Sequence, residues 1–591
     1  MAKYETLVDV YKSATAAFPT RDLFGTKRGG AWSWMTYREF GSQVERVRAG
    51  LVGLGLVRGD KLAIVANNRI EWAVVAYAAL GLGVAYVPMY EAQHESEWAF
   101  IINDSGAKVA VVATDKIAHT LISLGSEMPS LLTIVSLAPE TEVRKGITCW
   151  SDLLASEPNV PCIDVTPDDT ACLIYTSGTT GAPKGVILSH GNIASNVAAV
   201  HGVMPMGADD RALSFLPWAH VFGQTCELHT LFSLGACMAI CESVDKILDN
   251  LTETRPTILV SVPRIFNKLY SAVQRQIASK PAPVRELVKR ALAARKKLRE
   301  TGGISLAERA LVAVADKLVF SKVRARFGGR LSFAFSGGAA LSKEVAEFID
   351  GIGVMVYEGY GLTETSPIAA ANCPTARRIG SVGKAFPKIR IELSPESEIV
   401  VYGPNVMMGY HNRPEENAAV FTEPDATGKR GFRTGDMGRF DADGFLFITG
   451  RIKEQYKLEN GKYVVPTPLE EKLKLSPFVN NVMVYGDNRP YNVALITVSH
   501  EALSAWAKDN GRGDLSVAEL VRLPEVRAIY EAEVATNSSE FKGFESVKNF
   551  ALLAEDFTTA NEMLTPSMKL KRRRVVDVYS AELAALYTKK A

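Results

Sequence analysis

Residues 174–185 read Ile-Tyr-Thr-Ser-Gly-Thr-Thr-Gly-Ala-Pro-Lys-Gly. An apolar run leads into a loop with four hydroxyl side chains (Thr176, Ser177, Thr179, Thr180), three glycines (Gly178, Gly181, Gly185) and the cation of Lys184. Glycines let backbone N–H groups approach an anion and hydroxyls add donors, so the pattern suits a polyphosphate. It is not a Walker A loop. Counted from Gly178, Pro183 stands where that loop needs glycine, and Gly185 where it needs the Ser or Thr that holds magnesium. A flexible Gly/Ser linker is the competing reading, but an apolar strand before the loop and the amphipathic segment Val186–Val200 after it oppose that.

Five further groups of residues carry chemistry. Leu216-Pro-Trp-Ala-His-Val-Phe-Gly223 holds His220 among apolar neighbours, where a core histidine is the ordinary occupant. Ser336-Gly-Gly-Ala-Ala340 offers small residues (Gly337, Gly338, Ala339) against which a planar base or an acyl chain can lie. Tyr357-Glu-Gly-Tyr-Gly-Leu-Thr-Glu-Thr365 brings an aromatic ring, a hydroxyl and a carboxylate together, able to stack a base, bond a phosphate and hold a hard cation; a Gly-rich surface turn is the alternative. Phe432-Arg-Thr-Gly-Asp-Met-Gly438 reads as a tight turn carrying Asp436, a carboxylate that suits ribose hydroxyls or a plain Asx-turn. Thr565-Pro-Ser-Met-Lys-Leu-Lys-Arg-Arg-Arg574 ends in a basic run, by default a solvated or phospholipid-binding segment.

In this order and over this span, the motifs resemble those of the acyl-adenylate-forming superfamily, which includes acyl-CoA synthetases, luciferases and peptide-synthetase adenylation domains. The resemblance implies nucleotide binding by Thr176, Ser177, Gly178, Thr179, Thr180, Gly181, Lys184, Gly337, Gly338, Ala339, Tyr360, Gly361, Asp436 and Arg451. Tyr360 would stack on adenine, Thr363 contact phosphate, and Glu364 coordinate Mg²⁺. His220 would stand where the acyl and thiol channels meet, and Lys453 at a hinge. A lysine of the C-terminal loop would enter the site during adenylation. The pattern Lys-apolar-x-Arg-Arg picks Lys569, with Lys571 as the alternative.

The segment Gly450–Pro466 and the run Val260–Lys268 resemble long-chain fatty acyl-CoA synthetases. The expected activity is therefore ATP-dependent ligation of a long-chain fatty acid to coenzyme A through acyl-AMP. The rivals are a fatty acyl-AMP ligase serving a carrier protein, a non-catalytic acyl- or nucleotide-binding protein, and a membrane scaffold.

Short apolar runs (Leu62–Ala66, Val109–Ala113, Leu132–Ser136, Ala171–Tyr175, Ile258–Val262, Leu331–Phe335, Val354–Glu358) alternate with helical patterns. They predict an α/β chain: a large N-terminal domain of several subdomains, its mixed and parallel sheets sandwiched by helices, plus a small mobile α+β C-terminal domain. The expected division is 1–450, a hinge at 451–453, and 454–591. The chain stops soon after Lys569, so no fused carrier domain is expected.

At 591 residues and 47% apolar, with 67 basic against 65 acidic residues, the chain is globular and nearly neutral, which opposes nucleic acid as a partner. Its 7 cysteines form no CxxC pair and the N-terminus shows no signal-peptide core, so a cytoplasmic location is expected. The uncharged stretch Trp72–Tyr90 approaches membrane-spanning length, but Gly81, Gly83 and Pro88 favour a buried helix (Glu71–Leu80) and strand (Val84–Val87). The basic amphipathic segment Pro281–Glu300 is a candidate for peripheral contact with the inner membrane face; a helix covering the core is its alternative.

Overall fold

The computed structural model describes residues 4–139, 146–176, 182–565 and 568–588. Most of the chain up to residue 450 is built on two large sheets. The eight-stranded sheet centres on three parallel strands, Ala85–Met89, Lys61–Val65 and Val109–Val112. A sheet covered on both faces buries both side-chain rows, which is why these strands read as unbroken apolar runs. The nine-stranded sheet places Arg211–Ser214, Ile258–Ser261, Phe333–Ser336 and Met355–Gly361 side by side and parallel. The motifs beginning at Leu216, Ser336 and Tyr357 therefore leave or occupy strand C-termini on one edge of a single sheet, where open α/β folds bind ligands.

Trp72–Tyr90 folds as core. The helix Ile70–Leu80 is buried from Trp72 to Leu80 and runs into the buried strand Ala85–Met89. Among the described residues no helix is long and apolar enough to cross a membrane. A four-stranded antiparallel sheet, Arg390–Leu393, Glu398–Tyr402, Phe432–Phe440 and Leu446–Arg451, completes this part.

Beyond it the smaller domain has its own three-stranded sheet. Val479–Tyr485 pairs antiparallel and Val547–Leu553 parallel with the central Asn492–Val498. Leu469, Leu473, Val482, Ile496 and Tyr530 form a core on one side of it; Met483, Leu495, Phe557 and Val575 form another. The basic C-terminal run is not simply solvated. Arg572 donates to Glu470 Oε1 at 2.8 Å and also bonds Oε2, joining the last helices to the Pro466–Leu473 helix. Glu470 is buried, so the ordinary fate of a basic run gives way here to pairing with an acid that would otherwise be stranded.

Candidate active site

The glycine-rich loop connects two antiparallel strands, Thr170–Thr176 and Lys184–Ser189, with Thr176 directly opposite Lys184. Ser177, Gly178, Thr179, Thr180 and Gly181 lie outside the described residues. The segment expected after the loop is thus first a strand and then the helix His190–Val203, capped by Ser189. Among the described residues a strand, not a helix, follows the loop, so a phosphate there would meet Lys184 rather than the N-terminus of a following helix.

The base of the loop is rigid. The Tyr175 ring lies so close to Gly185 that a Cβ there would stand 2.9 Å from it, and the Tyr175 hydroxyl donates to Asp104 Oδ2 at 2.7 Å.

Lys184 and Glu364 flank one tyrosine. Lys184 Nζ stands 5.4 Å from the centre of the Tyr410 ring and 3.5 Å from Glu416 Oε1. The Tyr410 hydroxyl donates to Glu364 Oε1 at 2.8 Å. Tyr410 is held by its strand, Gly409–Tyr410, which pairs with Lys184–Ser189. Nothing in the local sequence around Tyr410 or Glu416 marks them, because their partners come from distant segments.

Tyr360 stands one residue before the end of the Met355–Gly361 strand, and Thr363 and Glu364 sit on the following single-turn helix Thr363–Thr365. This is no surface turn: Thr363 and Thr365 are buried, and Asn405 Nδ2 donates to the Thr365 carbonyl at 2.9 Å. A Cβ on Gly361 would lie 1.6 Å from the Pro367 carbonyl oxygen. Gly361→Ala is therefore expected to shift this turn and to cost at least about 1–3 kcal/mol, the overpacking penalty. Thermal unfolding checks it, and an unchanged melting temperature would show the turn to be pliant.

Asp436 lies within the strand Phe432–Phe440, not on a tight turn. Gly435, at φ 71°, interrupts the strand just before it, so the Thr-Gly-Asp-Met-Gly spelling marks an irregularity inside a ladder. The register sets Asp436 opposite Arg451, whose Nε stands 2.8 Å from Asp436 Oδ1. Oδ2 accepts the Tyr360 hydroxyl at 2.7 Å. Asp436 is 3% exposed, and this burial raises its carboxyl above the usual range against the opposing pull of Arg451 and Tyr360. Tyr360, expected to face adenine, thus also braces the carboxylate expected to face ribose.

The His220 loop is pinned at both ends. Asn68 Nδ2 donates to the Leu216 carbonyl at 2.7 Å, and the Trp218 N–H donates to Asn68 Oδ1 at 2.7 Å. A Cβ on Gly223 would stand 2.5 Å from the Pro217 carbonyl oxygen, so the chain can fold back there only with glycine. The wide helical turn Gly223–His229 follows. The Phe222 N–H donates to His220 Nδ1 at 3.2 Å, which assigns the proton of a neutral ring to Nε2. Burial, reinforced by the Lys569 charge, lowers the His220 pKa to about 4, so the ring is neutral near pH 7 and offers a donor. The Phe222 ring lies against Gly337, where a Cβ would come within 2.9 Å of it. Gly338 takes φ 81° in the same loop, and Ala339 is exposed beyond it.

The charge of Lys569 is felt in both halves of this constellation. Its backbone N–H donates to Thr565 Oγ1 at 3.0 Å, and Leu564 bridges to Leu570, closing a small loop. The surrounding protein and Arg451 lower its ammonium below the usual lysine value, while Asp436, Glu364 and Glu454 pull the other way. Lys569 as a residue remains exposed to solvent. The same charge acts on His220. Lys571 instead stands at the N-terminal end of the Arg572–Val578 helix, its N–H bonded to the Met563 carbonyl at 2.8 Å. Lys453 is exposed in the short helix Ile452–Glu454, directly after Arg451.

Known proteins resemble this chain in sequence and fold. Residues 11–411 match the AMP-binding enzyme family and residues 453–591 match the AMP-binding enzyme C-terminal domain. The chain belongs to the AMP-binding enzyme family. It is 33% identical over 571 residues to a long-chain-fatty-acid–CoA ligase of Mycobacterium bovis, covering 95% of this chain and 93% of that protein. It is 30% identical to the peroxisomal long chain acyl-CoA synthetase 6 of Arabidopsis thaliana, covering 98% of this chain and 86% of that one. Its fold is that of the adenylation domain of a carboxylate reductase from Mycobacterium chelonae, with a TM-score of 0.78 at 21% identity, covering 99% and 91% of the two chains.

Proposed function

We propose that this chain joins a long-chain fatty acid to coenzyme A in two steps, first forming acyl-AMP from ATP and then passing the acyl group to the CoA thiol. The observation that carries this reading is the buried group at Asp436, whose carboxylate takes the Tyr360 hydroxyl at 2.7 Å and Arg451 Nε at 2.8 Å, with the Lys569 charge acting on the same carboxylate and on His220. Attack of a carboxylate on the α-phosphate builds negative charge between nucleotide and acid, and preorganised cations stabilise that charge. The names borne by the relatives supply the acid and the thiol.

In this reading the Gly-rich loop and Lys184 hold the polyphosphate, with Thr363 beside it. Tyr360 and the 337–339 backbone hold the base, and Asp436 with Arg451 holds the ribose. His220 Nε2–H donates to an oxygen of the acid. The residues suit Mg²⁺ because the donor at the phosphate side is a hard carboxylate, Glu364, already oriented by Tyr410. Among the described residues no three candidate metal-ligating side chains cluster, so a cation there would rely on Glu364 together with substrate oxygens. When bound, Mg²⁺ supplies charge neutralisation on the phosphates.

The proposed division is 1–450 and 454–591, with 451–453 as the hinge about Lys453. A hinge beside the strand-ending Arg451 allows the smaller domain to turn between the two steps. The seven cysteines carry free thiols, which suits a cytoplasmic location.

Purified protein given palmitate, ATP and Mg²⁺ is expected to catalyse pyrophosphate exchange, and to yield palmitoyl-CoA when CoA is added. Exchange without the CoA ester would favour an acyl-AMP ligase. Neither product would remove the proposal.

Glu364→Gln is expected to raise the Mg²⁺ concentration for half-maximal exchange by about tenfold or more, the loss typical of one disturbed metal ligand. An unchanged Mg²⁺ titration would exclude Glu364 from that role.

The pH profile follows from two groups. Lys569 must be protonated to act, and its pKa is lowered from 10.5, so the adenylation rate falls with rising pH earlier than an ordinary lysine would dictate. His220 titrates at about 4 and contributes no limb between about pH 5 and 8, where an unperturbed histidine would. An acid limb near neutrality that disappears in His220→Ala would overturn the donor assignment.

A further inference from the structure

One helical face stands outside the site. The segment runs as helix Leu306–Ala315, a wide turn Asp316–Phe320 and helix Ser321–Ala325. Ala315, Phe320 and Val323 turn inward and pack in the core beneath the nine-stranded sheet's helices. The opposite side presents Leu306 at 82% exposure, Val314 at 49% and Leu318 at 47%, with Ala310 and Ala313 exposed between them. The spacing of three, four and seven residues puts them on one stripe.

Exposed cations edge that stripe: Arg309, Lys317, Lys322 and Arg326. None of the four belongs to an ion pair among the described residues. The two carboxylates of the segment are both engaged, Glu308 by Lys297 and the Ser305 N–H, Asp316 by Arg324. The preceding helix Ala282–Thr301 is richer in charge, but four of its cations are paired: Arg295 with Asp316, Lys296 with Glu347, Lys297 with Glu308, and Arg299 with Asp350. That helix keeps three exposed cations, Arg285, Lys289 and Arg290, outside any ion pair among the described residues, but its exposed leucine, Leu298, lies among the paired ones; bare leucines and unpaired cations share one face on Leu306–Arg326.

We propose that this face docks on a bilayer surface containing anionic phospholipid. Single exposed leucines on a soluble protein carry no meaning. An aligned row of them bordered by unpaired cations matches an interfacial helix, whose apolar side enters the acyl boundary while Lys and Arg meet phosphates. A second copy of this chain is a poor fit, because two such faces would oppose like charges. The inference rests on the long-chain reading in one respect only: such an acid partitions into bilayers, so an enzyme docked there meets its substrate where it is concentrated.

The test is flotation of the full chain with phosphatidylcholine vesicles, with and without phosphatidylglycerol, alongside a palmitoyl-CoA assay using albumin-bound palmitate. The wild type is expected to float with the phosphatidylglycerol vesicles and much less with phosphatidylcholine alone. Lys317→Gln/Lys322→Gln is expected to weaken that binding about thirtyfold, and to erase the preference for the anionic vesicles. Leu306→Ser/Leu318→Ser is expected to abolish flotation, while both variants keep the wild-type rate with albumin-bound palmitate.

Flotation of both variants like the wild type, or no flotation of the wild type, would overturn the docking face. So would a dimer in sedimentation velocity that Leu306→Ser dissociates, since the face would then join copies of the chain. Vesicle binding without any palmitoyl-CoA would leave the docking intact and remove the proposed function instead.

Discussion

Lys569→Ala is expected to lower the rate of acyl-AMP formation by about 10²–10³-fold, the range for removing one preorganised donor from a site of developing charge. The loss should fall on the first half-reaction. Given acyl-AMP and CoA directly, the variant is expected to form thioester at close to the wild-type rate. The structure motivates this separation, since the Lys569 ammonium is drawn to Asp436, Glu364 and Glu454, the side of the site where the nucleotide is proposed to lie. Lys571→Ala is the control. Its backbone is tied to Met563 at the start of a helix, and it should leave exchange unchanged. Equal loss of both half-reactions in Lys569→Ala, or a comparable loss in Lys571→Ala, would take the adenylation role away from Lys569.

Asp436→Ala is expected to reduce kcat/KM for ATP by about 10²-fold or more, mostly through KM. Two interactions vanish together, with the Tyr360 hydroxyl at 2.7 Å and with Arg451 at 2.8 Å. Hydrogen bonds to charged groups contribute about 1.5–3 kcal/mol each, and the partners left behind must find others. The variant should also melt lower than the wild type. Titration calorimetry with AMP separates the two effects: weakened AMP binding supports contact with the nucleotide, whereas a lower melting temperature with unaltered AMP affinity would reduce Asp436 to a brace.

The strands were legible because their burial is two-sided. Leu62–Ala66 and Val109–Ala113 are apolar without alternation, and they fall within a residue of the strands Lys61–Val65 and Val109–Val112. That a large domain precedes a smaller one was legible in the sequence. The setting of Asp436 was not. Thr-Gly-Asp-Met-Gly spells a turn, yet the hairpin closed at residues 441–444 carries the ladder past Gly435 and puts Asp436 opposite Arg451.

Residue types at the site were legible, but their supports were not. Tyr410 and Glu364 are 46 positions apart, and Asn68 and Trp218 are 150 apart. Such pairs have no local periodicity, so only the fold reveals that Tyr410 orients Glu364 and that Asn68 pins the His220 loop. The helix Ala282–Thr301 shows a converse failure. Its composition suggests free positive charge throughout, whereas Asp316, Glu347 and Asp350 come from elsewhere to pair the cations of its second half.

If Lys184 holds phosphate as proposed, its contact with Glu416 at 3.5 Å would bias that end toward highly charged ligands. The lysine already faces an internal anion, and an incoming group must outcompete a tethered carboxylate to take its place. A singly charged anion gains little from the exchange, whereas a triphosphate brings several charges and displaces Glu416 readily. In that reading Glu416 would compete with the departing diphosphate for the lysine and so act as a built-in rival to product.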